Sequence, residues 1–440
     1  MTLIAEDPQL APVAPIAPRT LADAQLSPDL ITQLVLKTLH LSGELSGTEL
    51  AKRLGLPFFA IEPVLATIKQ HHQCEVSGGA LGSLSYKYRI TDAGRARAML
   101  FMEHNHYVGF APVPLSQYQA YMRTFKAAQR SHVGRDAVKK AFSHLVISSR
   151  VMDQLGPAIN AGHSMFVYGP PGNGKTVISQ AIHNLLEGEL YIPHALEVEG
   201  SIIRFFDPVN HDPVPETSQS DSLDNSQDYD RRWIRCRRPM VMVGGELSLD
   251  QLELSYSPTM GFYRAPVQAV ANGGVLVIDD FGRQTCSPRD LLNRWIVPLE
   301  SRVDFLTLQT GQKFDFPFMT LIVFATNIKP QDLVDEAFLR RIQYKIFAES
   351  PTRAEFFEIF EGVCRDKQID YRPDVIEKLL VDYYRPRQIQ LRGCQPRDLI
   401  NQAISLAEYL GKPPELTTEI LEAACASYFV DDREAPASYA

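Results

Sequence analysis

The sequence predicts an α/β fold, with a glycine-rich loop at the end of one strand of a parallel sheet and a helical region after it. Three observations carry that prediction. The apolar run Ser164-Met165-Phe166-Val167-Tyr168 leads into Gly169-Pro170-Pro171-Gly172-Asn173-Gly174-Lys175-Thr176, and Val177-Ile178-Ser179-Gln180-Ala181-Ile182 follows. That is strand, loop, helix, the context a phosphate-binding loop needs. Next, Gly273-Gly274-Val275-Leu276-Val277-Ile278-Asp279-Asp280 gives a four-residue buried strand ending in two acids. Ligands of open α/β sheets bind at that end of the strands. Last, from Pro351 onward the pattern is helical with proline breaks.

Each element has a chemical reading. The glycines let backbone N–H groups turn around phosphate oxygens with no Cβ in the way. The helix N-terminus then faces the anion. Lys175 would reach the β/γ-phosphates of ATP, and the Thr176 hydroxyl would bind Mg²⁺. Asp279 would hold Mg²⁺ directly or through water, and Asp280 would orient or deprotonate the attacking water. A further buried strand, Leu321-Ile322-Val323-Phe324-Ala325-Thr326-Asn327, ends in a polar pair whose amide could hold the lytic water. Phe338-Leu339-Arg340-Arg341-Ile342 lies one short helix later. Gln395-Pro396-Arg397-Asp398-Leu399 opens a helix with proline at its start, and Arg397 could reach the nucleotide from there.

At 440 residues the chain can bury more than one core, so two or three domains are expected. Charged residues are 22% and hydrophobic ones 45%, as in a soluble globular protein. A net charge of −8 gives no global drive toward nucleic acid or anionic membrane. No apolar run approaches the roughly 20 residues of a membrane helix, and Glu6 and Asp7 stand where a signal peptide would be basic. Cysteines 74, 236, 286, 364, 394 and 425 form no CxxC pair, which fits a reduced cytoplasmic protein.

Residues 1–28, with Pro8, Pro12, Pro15 and Pro18 among alanines, read as a flexible leader. Helical patterns follow from Asp29, over Ser46–Leu56 and over Ala60–His71. Cys74-Glu75-Val76 and Tyr86-Lys87-Tyr88-Arg89-Ile90 read as two strands. Three helices and a hairpin over 29–105 resemble a winged helix-turn-helix domain, which could bind DNA or protein. Residues 106–128 read as a linker. His132-Val133-Gly134-Arg135 precedes a long helix from about Asp136 to Asn160. Residues 210–230 carry six acids among Ser, Asn, Gln and Pro and read as a disordered insert. The basic run Arg231-Arg232-Trp233-Ile234-Arg235-Cys236-Arg237-Arg238 could touch a phosphate or pair with an acidic neighbour such as that insert.

Phosphate loop, acidic strand end, Thr-Asn strand end, paired arginines and lid arginine come in one order. Together they resemble the AAA+ ATPase family over roughly 129–430. The resemblance implies an αβα nucleotide-binding core over 129–350, a helical lid over 351–430 and a tail over 431–440. It implies Walker A at 169–176, Walker B at 275–280, sensor 1 at Asn327, an arginine finger at Arg341 or Arg340, and sensor 2 at Arg397. Val133 and Gly134 would flank the adenine. The stretch from Gly244-Gly245-Glu246-Leu247 to the hairpin 304–317 is similar to MoxR-like and magnesium-chelatase-like members. Asp280 departs from the family, which usually has Glu there, so slow hydrolysis or a bind-and-hold switch stays open. The resemblance implies an ATP- and Mg²⁺-dependent homo-oligomeric ring, commonly of six, acting on a protein client. A DNA-binding transcription regulator and a nucleotide-gated module with little hydrolysis are the rivals.

Overall fold

The computed structural model describes residues 13–78, 85–128, 133–186, 188–215 and 229–429. The chain is an α/β protein. Its central sheet contains β1 (Met165–Tyr168), β2 (Met240–Val243), β3 (Val275–Ile278), β4 (Leu321–Thr326) and β5 (Tyr344–Phe347), in the order β2-β3-β4-β1-β5. β1 pairs in parallel with β4 and with β5. All four residues of β3 and all six of β4 are buried, as expected for strands covered on both faces.

By contacts the chain divides into two compact units. One comprises Met1–Ser131, Leu186–Val277 and Gln284–Ile322; the other comprises His132–Leu185, Ile278–Arg283 and Val323–Ala440. The second unit carries β1, the helix Lys175–Leu185 (α1), β5 and the C-terminal helices. Those helices are Arg353–Lys367 (α2), Pro373–Leu379, Gln395–Tyr409 (α3) and Thr418–Tyr428 (α4). They close around Phe356, Phe360, Ile376, Leu399, Ile400 and Leu421, each essentially inaccessible to water. The Thr352 hydroxyl and Glu355 form a capping box at the start of α2, satisfying N–H groups that the helix cannot pair itself.

In the first unit, helices Pro28–Ser42, Gly47–Leu54 and Phe58–Gln70 pack with an antiparallel sheet of Glu44–Ser46, Lys87–Ile90 and Cys74–Gly78. Ile31, Leu34, Leu50, Ile61, Leu65 and Ile90 form their shared core.

Several expectations need correction. The leader is structured over its described part: Leu21–Ala24 is a helix with a Thr20/Asp23 capping box, Ala24 and Leu26 are buried, and Asp230 N–H donates to the Pro15 carbonyl at 2.8 Å. Its prolines suit an extended edge, and its few apolar side chains find a core. Residues 1–12 lie outside the described residues, as do 129–132, 430–440 and 216–228 of the insert. The flanks of that insert are ordered, since Pro213 bridges Cys236 and Arg237 pairs with Asp212 at 3.0 Å. The presumed linker is a helix, Leu115–Ala128, with Tyr118, Tyr121 and Met122 buried. The spacing of those three is a helical stripe that the linker reading overlooked. The long helix expected over 136–160 is two, Arg135–Ala141 and Ser149–Ala161, the second capped by the Ser148 hydroxyl.

Four of the five arginines in the basic run, Arg232, Arg235, Arg237 and Arg238, are paired within the first unit. Arg232 is 1% exposed and pairs with Asp230 at 2.7 Å. It also reaches the Ala24 and Pro112 carbonyls and Gln117. Arg235 pairs with Glu189, and Arg238 donates to the Gly273 carbonyl at 2.7 Å. No helix among the described residues is long and apolar enough to cross a membrane. All six cysteines are free thiols.

Candidate nucleotide site

The loop 169–174 turns between β1 and α1 with glycine where the backbone requires it. Gly169 (φ +152°) lies where a Cβ would come within 2.4 Å of the Ala348 carbonyl oxygen, and Gly172 (φ +79°) where a Cβ would meet Cys394 Sγ at 2.5 Å. Side chains there would have nowhere to go. Lys175 is 7% exposed, and its ammonium donates to the carbonyls of Gly169 (3.1 Å) and Pro170 (2.9 Å). Burial lowers its pKa, the carboxylates of Asp280 and Asp279 act against that, and the charge of Arg392 adds to it.

Thr176 Oγ1 donates to Asp279 Oδ2 at 2.8 Å. The hydroxyl at the start of α1 therefore meets the first acid after β3, although 103 positions separate them. Asp280 has φ +49°, a conformation that L side chains seldom adopt and that clusters at functional sites. Its backbone N–H donates to Asp279 Oδ1 at 3.0 Å. Its own carboxylate oxygen accepts from Asn327 Nδ2 at 3.1 Å. The strand-end geometry is fixed from below: Phe281 N–H donates to the Ala325 carbonyl (2.7 Å), and the buried Thr326 hydroxyl donates to the Phe281 carbonyl (2.6 Å). Lys175, Thr176, Asp279, Asp280 and Asn327 thus form one cluster within the second unit.

The remaining expected residues stand on other elements of the second unit. Val133 N–H donates to Asn160 Oδ1 at 2.7 Å, and the Asn160 amide donates back to the Val133 carbonyl at 3.1 Å. Gly134 caps the helix Arg135–Ala141. Arg340 and Arg341 end the short helix Glu336–Arg341, whose N-cap is Asp335. Arg397 is exposed at the start of α3, and its Nε and Nη2 both donate to Asp398 Oδ1 at 3.1 Å. Tyr428 from α4 donates to the other oxygen of Asp398 at 3.2 Å.

The loop 390–394, just before α3, was not foreseen. Cys394 N–H donates to the Gly172 carbonyl at 2.8 Å, and Gly393 N–H donates to Asn173 Oδ1 at 3.3 Å. Asn173 in turn donates to Ser350 Oγ (3.3 Å), which also accepts from Arg392 Nη1 (2.8 Å). The one sequence signal was an arginine-glycine pair directly before a proline-opened helix.

The oxygen pair of Thr176 and Asp279 suits a hard cation such as Mg²⁺, which takes one or two protein oxygens and leaves its other positions to phosphate and water. Among the described residues no three His, Cys, Asp or Glu side chains converge into a metal-binding group of their own.

A family model described as a domain of unknown function (DUF8689) matches residues 352–427, the C-terminal helices. No curated protein matches the sequence. Among solved structures, NtrX from Brucella abortus in complex with ADP is 15% identical, with a TM-score of 0.38 over 74% of this chain and 64% of that one. NtrX in complex with ATP is 17% identical with the same TM-score, over 84% and 76% of the two chains. The RuvB Holliday junction branch migration motor of Thermotoga maritima is 16% identical, with a TM-score of 0.36 over 68% and 71%. The chain therefore spans about two thirds of the length of the first of these. Scores this low carry no functional weight, and the site rests on its own geometry.

Proposed function

We propose that the protein is an ATP-hydrolysing member of the AAA+ family that remodels a protein partner as a homo-oligomer. The observation that carries the reading is the cluster at the end of the loop. Lys175, Thr176, Asp279, Asp280 and Asn327 meet in one place from three separate stretches of sequence. Phosphoryl transfer asks for positioning and charge stabilisation, and each side chain has such a part. The loop N–H groups and Lys175 would hold the β- and γ-phosphates. Thr176 and Asp279 would hold Mg²⁺, which when bound neutralises charge on the phosphate oxygens. Water would attack the γ-phosphorus, its proton passing to the Asp280 carboxylate. The β,γ-bridging bond breaks, leaving ADP and inorganic phosphate. Asn327, already on Asp280, would hold the carboxylate and water in line.

Steady-state turnover of ATP by the full chain tests this. Lys175→Ala should lower both nucleotide affinity and turnover by at least tenfold with the fold retained. Unchanged turnover in that folded variant would sink the catalytic reading. The short Asp280 side chain, engaged by Asn327, favours one second reading, a switch that binds ATP and hydrolyses it slowly. Wild-type turnover close to that of Asp280→Asn, with tight ATP binding in both, would select it.

A further inference from the structure

We infer that the cavity bounded by the N-terminal segment 16–19, the turn 55–57 and residues 229–231 docks an acidic, apolar-anchored peptide segment of a partner protein. Such a site lies beyond the nucleotide reading and stands whether or not ATP is hydrolysed.

The cavity lies wholly within the first unit. Its walls are fastened to one another through the backbone. Asp230 N–H donates to the Pro15 carbonyl at 2.8 Å, and Ile16 and Tyr229 form an antiparallel bridge. The turn after the helix Gly47–Leu54 closes on the same strand. Gly55 has φ +67°, and a Cβ there would come within 3.0 Å of the Arg231 carbonyl oxygen and 2.7 Å of Phe110 Cδ1. Glycine is what lets the turn approach Arg231 so closely. The result is a preformed cavity of about 610 Å³, a size common among ligand sites.

Its lining is mainly apolar. Ala51, Leu56, Pro57 and Phe58 contribute from the helices, and Ala17 and Pro18 from the N-terminal segment. Phe59 and Ile16 also line it and are 56% and 86% exposed, large apolar side chains left in water. Exposed apolar surface framed by charge marks an interaction site. Here the frame has one sign. Arg19, Lys52 and Arg231 line the cavity from three separate segments, and no Asp or Glu does. All three are exposed, and none makes an ion pair among the described residues. Arg231 is the one arginine of the basic run left over once Arg232, Arg235, Arg237 and Arg238 have found partners.

The complementary ligand brings several carboxylates with apolar side chains between them, and a polypeptide supplies both. The charges guide encounter and select the partner, while the anchors that leave water hold it. A nucleic acid would meet the three cations but leave Phe59 and the apolar lining unfilled. The chain's own residues 216–228 carry Glu216, Asp221, Asp224 and Asp228, yet only one large apolar residue, Leu223, to place there.

A set of fluorescein-labelled peptides, with Asp and Glu interspersed among Leu and Phe in varied order, tests this by anisotropy against the full chain without nucleotide. Binding should weaken with added salt. Peptides with Lys in place of the acids should not bind, nor should peptides with Ser in place of Leu and Phe. Arg231→Gln should weaken binding roughly two- to fivefold, as for one exposed ion pair, and Arg19→Gln, Lys52→Gln and Arg231→Gln together roughly tenfold or more. Phe59→Ser should cost about tenfold, and Phe59→Leu should recover most of it. Lys175→Ala should bind the peptides as wild type does, so failure of the nucleotide reading leaves this result untouched. No binding by the wild type overturns the inference, and so does equal binding of acidic and basic peptides. So does an unchanged affinity in the triple variant. If the peptides bind only after residues 216–228 are replaced by a Gly-Ser linker, that segment fills the cavity and the partner assignment fails. If duplex DNA displaces the peptides and binds Phe59→Ser as tightly as wild type, the cations serve nucleic acid and the assignment fails as well. A melting curve identifies any variant that misfolds, and Arg231→Glu, which should bind the basic peptides in preference, then carries the comparison.

Discussion

Two buried lysines show how surroundings set the cost of a buried charge at the level of single residues. Burial depresses both. Lys175 sits among loop carbonyls with Asp279 and Asp280 in range, so its charge is partly compensated. Lys37 is 1% exposed inside the helix Pro28–Ser42, donates to the Asn105 carbonyl at 3.0 Å, and burial pushes its pKa down to about 8. Among the described residues no carboxylate raises it again. Between pH 8 and the unfolded value near 10.5, the unfolded chain binds more protons at this residue than the folded one, so stability rises with pH across that window. Below pH 8 both states are charged and the full cost of burial is present. That cost is at most roughly 3.5 kcal/mol on the linkage of about 1.4 kcal/mol per pKa unit. Urea denaturation of wild type and Lys37→Met at pH 7.5 and 10 should show the wild-type gain with pH reduced in the variant. Equal gains in both would refute the assignment.

Among elements, the helix Phe58–Gln70 bears on whether the N-terminal domain reads DNA. Its exposed positions are Phe59, Glu62, Pro63, Ala66, Thr67, Lys69 and Gln70, one cation and one acid among them. The domain counts eight Lys+Arg against seven acids over 29–105, a net of about +1. Lys87 and Arg89, which alternate on a strand and could have lain along a phosphate backbone, are occupied within the domain. Arg89 pairs with Glu44 at 2.9 Å and Glu75 at 3.9 Å, and Lys87 with Glu44 at 3.8 Å. Phosphate contacts need free Arg and Lys, so the full chain should bind genomic DNA fragments only weakly and lose them at physiological salt. Sub-micromolar, sequence-selective binding at physiological salt that Lys69→Glu abolishes would favour the regulator reading instead. The same elements show what the sequence discloses and why. The strand, glycine-rich loop and helix over 165–185, β3, β4 and the helices from Arg353 onward were legible because glycine placement, continuous apolar runs and proline starts are local signals. Residues 115–128 were misread because tyrosines at helical spacing carry polar tips, and their burial depends on distant partners such as Asn272, which donates to Tyr118 Oη at 2.7 Å. The contact of the loop 390–394 with the glycine-rich loop was missed for a related reason. Nothing near it in sequence announces that Gly172, more than two hundred positions away, will accept a hydrogen bond from Cys394.

For the whole molecule, the open question is whether one chain completes its own site. The cluster from Lys175 to Asn327 closes within the second unit, whereas Arg340 and Arg341 end a separate short helix. If Arg341 is supplied to a neighbouring copy, the working unit is an oligomer and the site is shared. A guanidinium on the transition-state charge is worth about 10³–10⁵ in rate, so Arg341→Ala alone should be almost inactive. Lys175→Ala alone should be inactive as well. Mixed one to one, they give a distinctive result. An Arg341→Ala copy keeps an intact phosphate loop, and a Lys175→Ala neighbour lends it an intact arginine. With random assortment in a head-to-tail ring, about one interface in four combines the two. The mixture should therefore regain up to about a quarter of wild-type turnover, after incubation long enough for subunits to exchange. Specific activity of the wild type should also rise with protein concentration, since dilution empties the shared sites. The same mixing with Arg340→Ala identifies which of the adjacent arginines acts. Complete inactivity of both mixtures, with subunit exchange verified by a fluorescence transfer signal between labelled copies, would place the arginine in its own chain's site and remove the need for a ring.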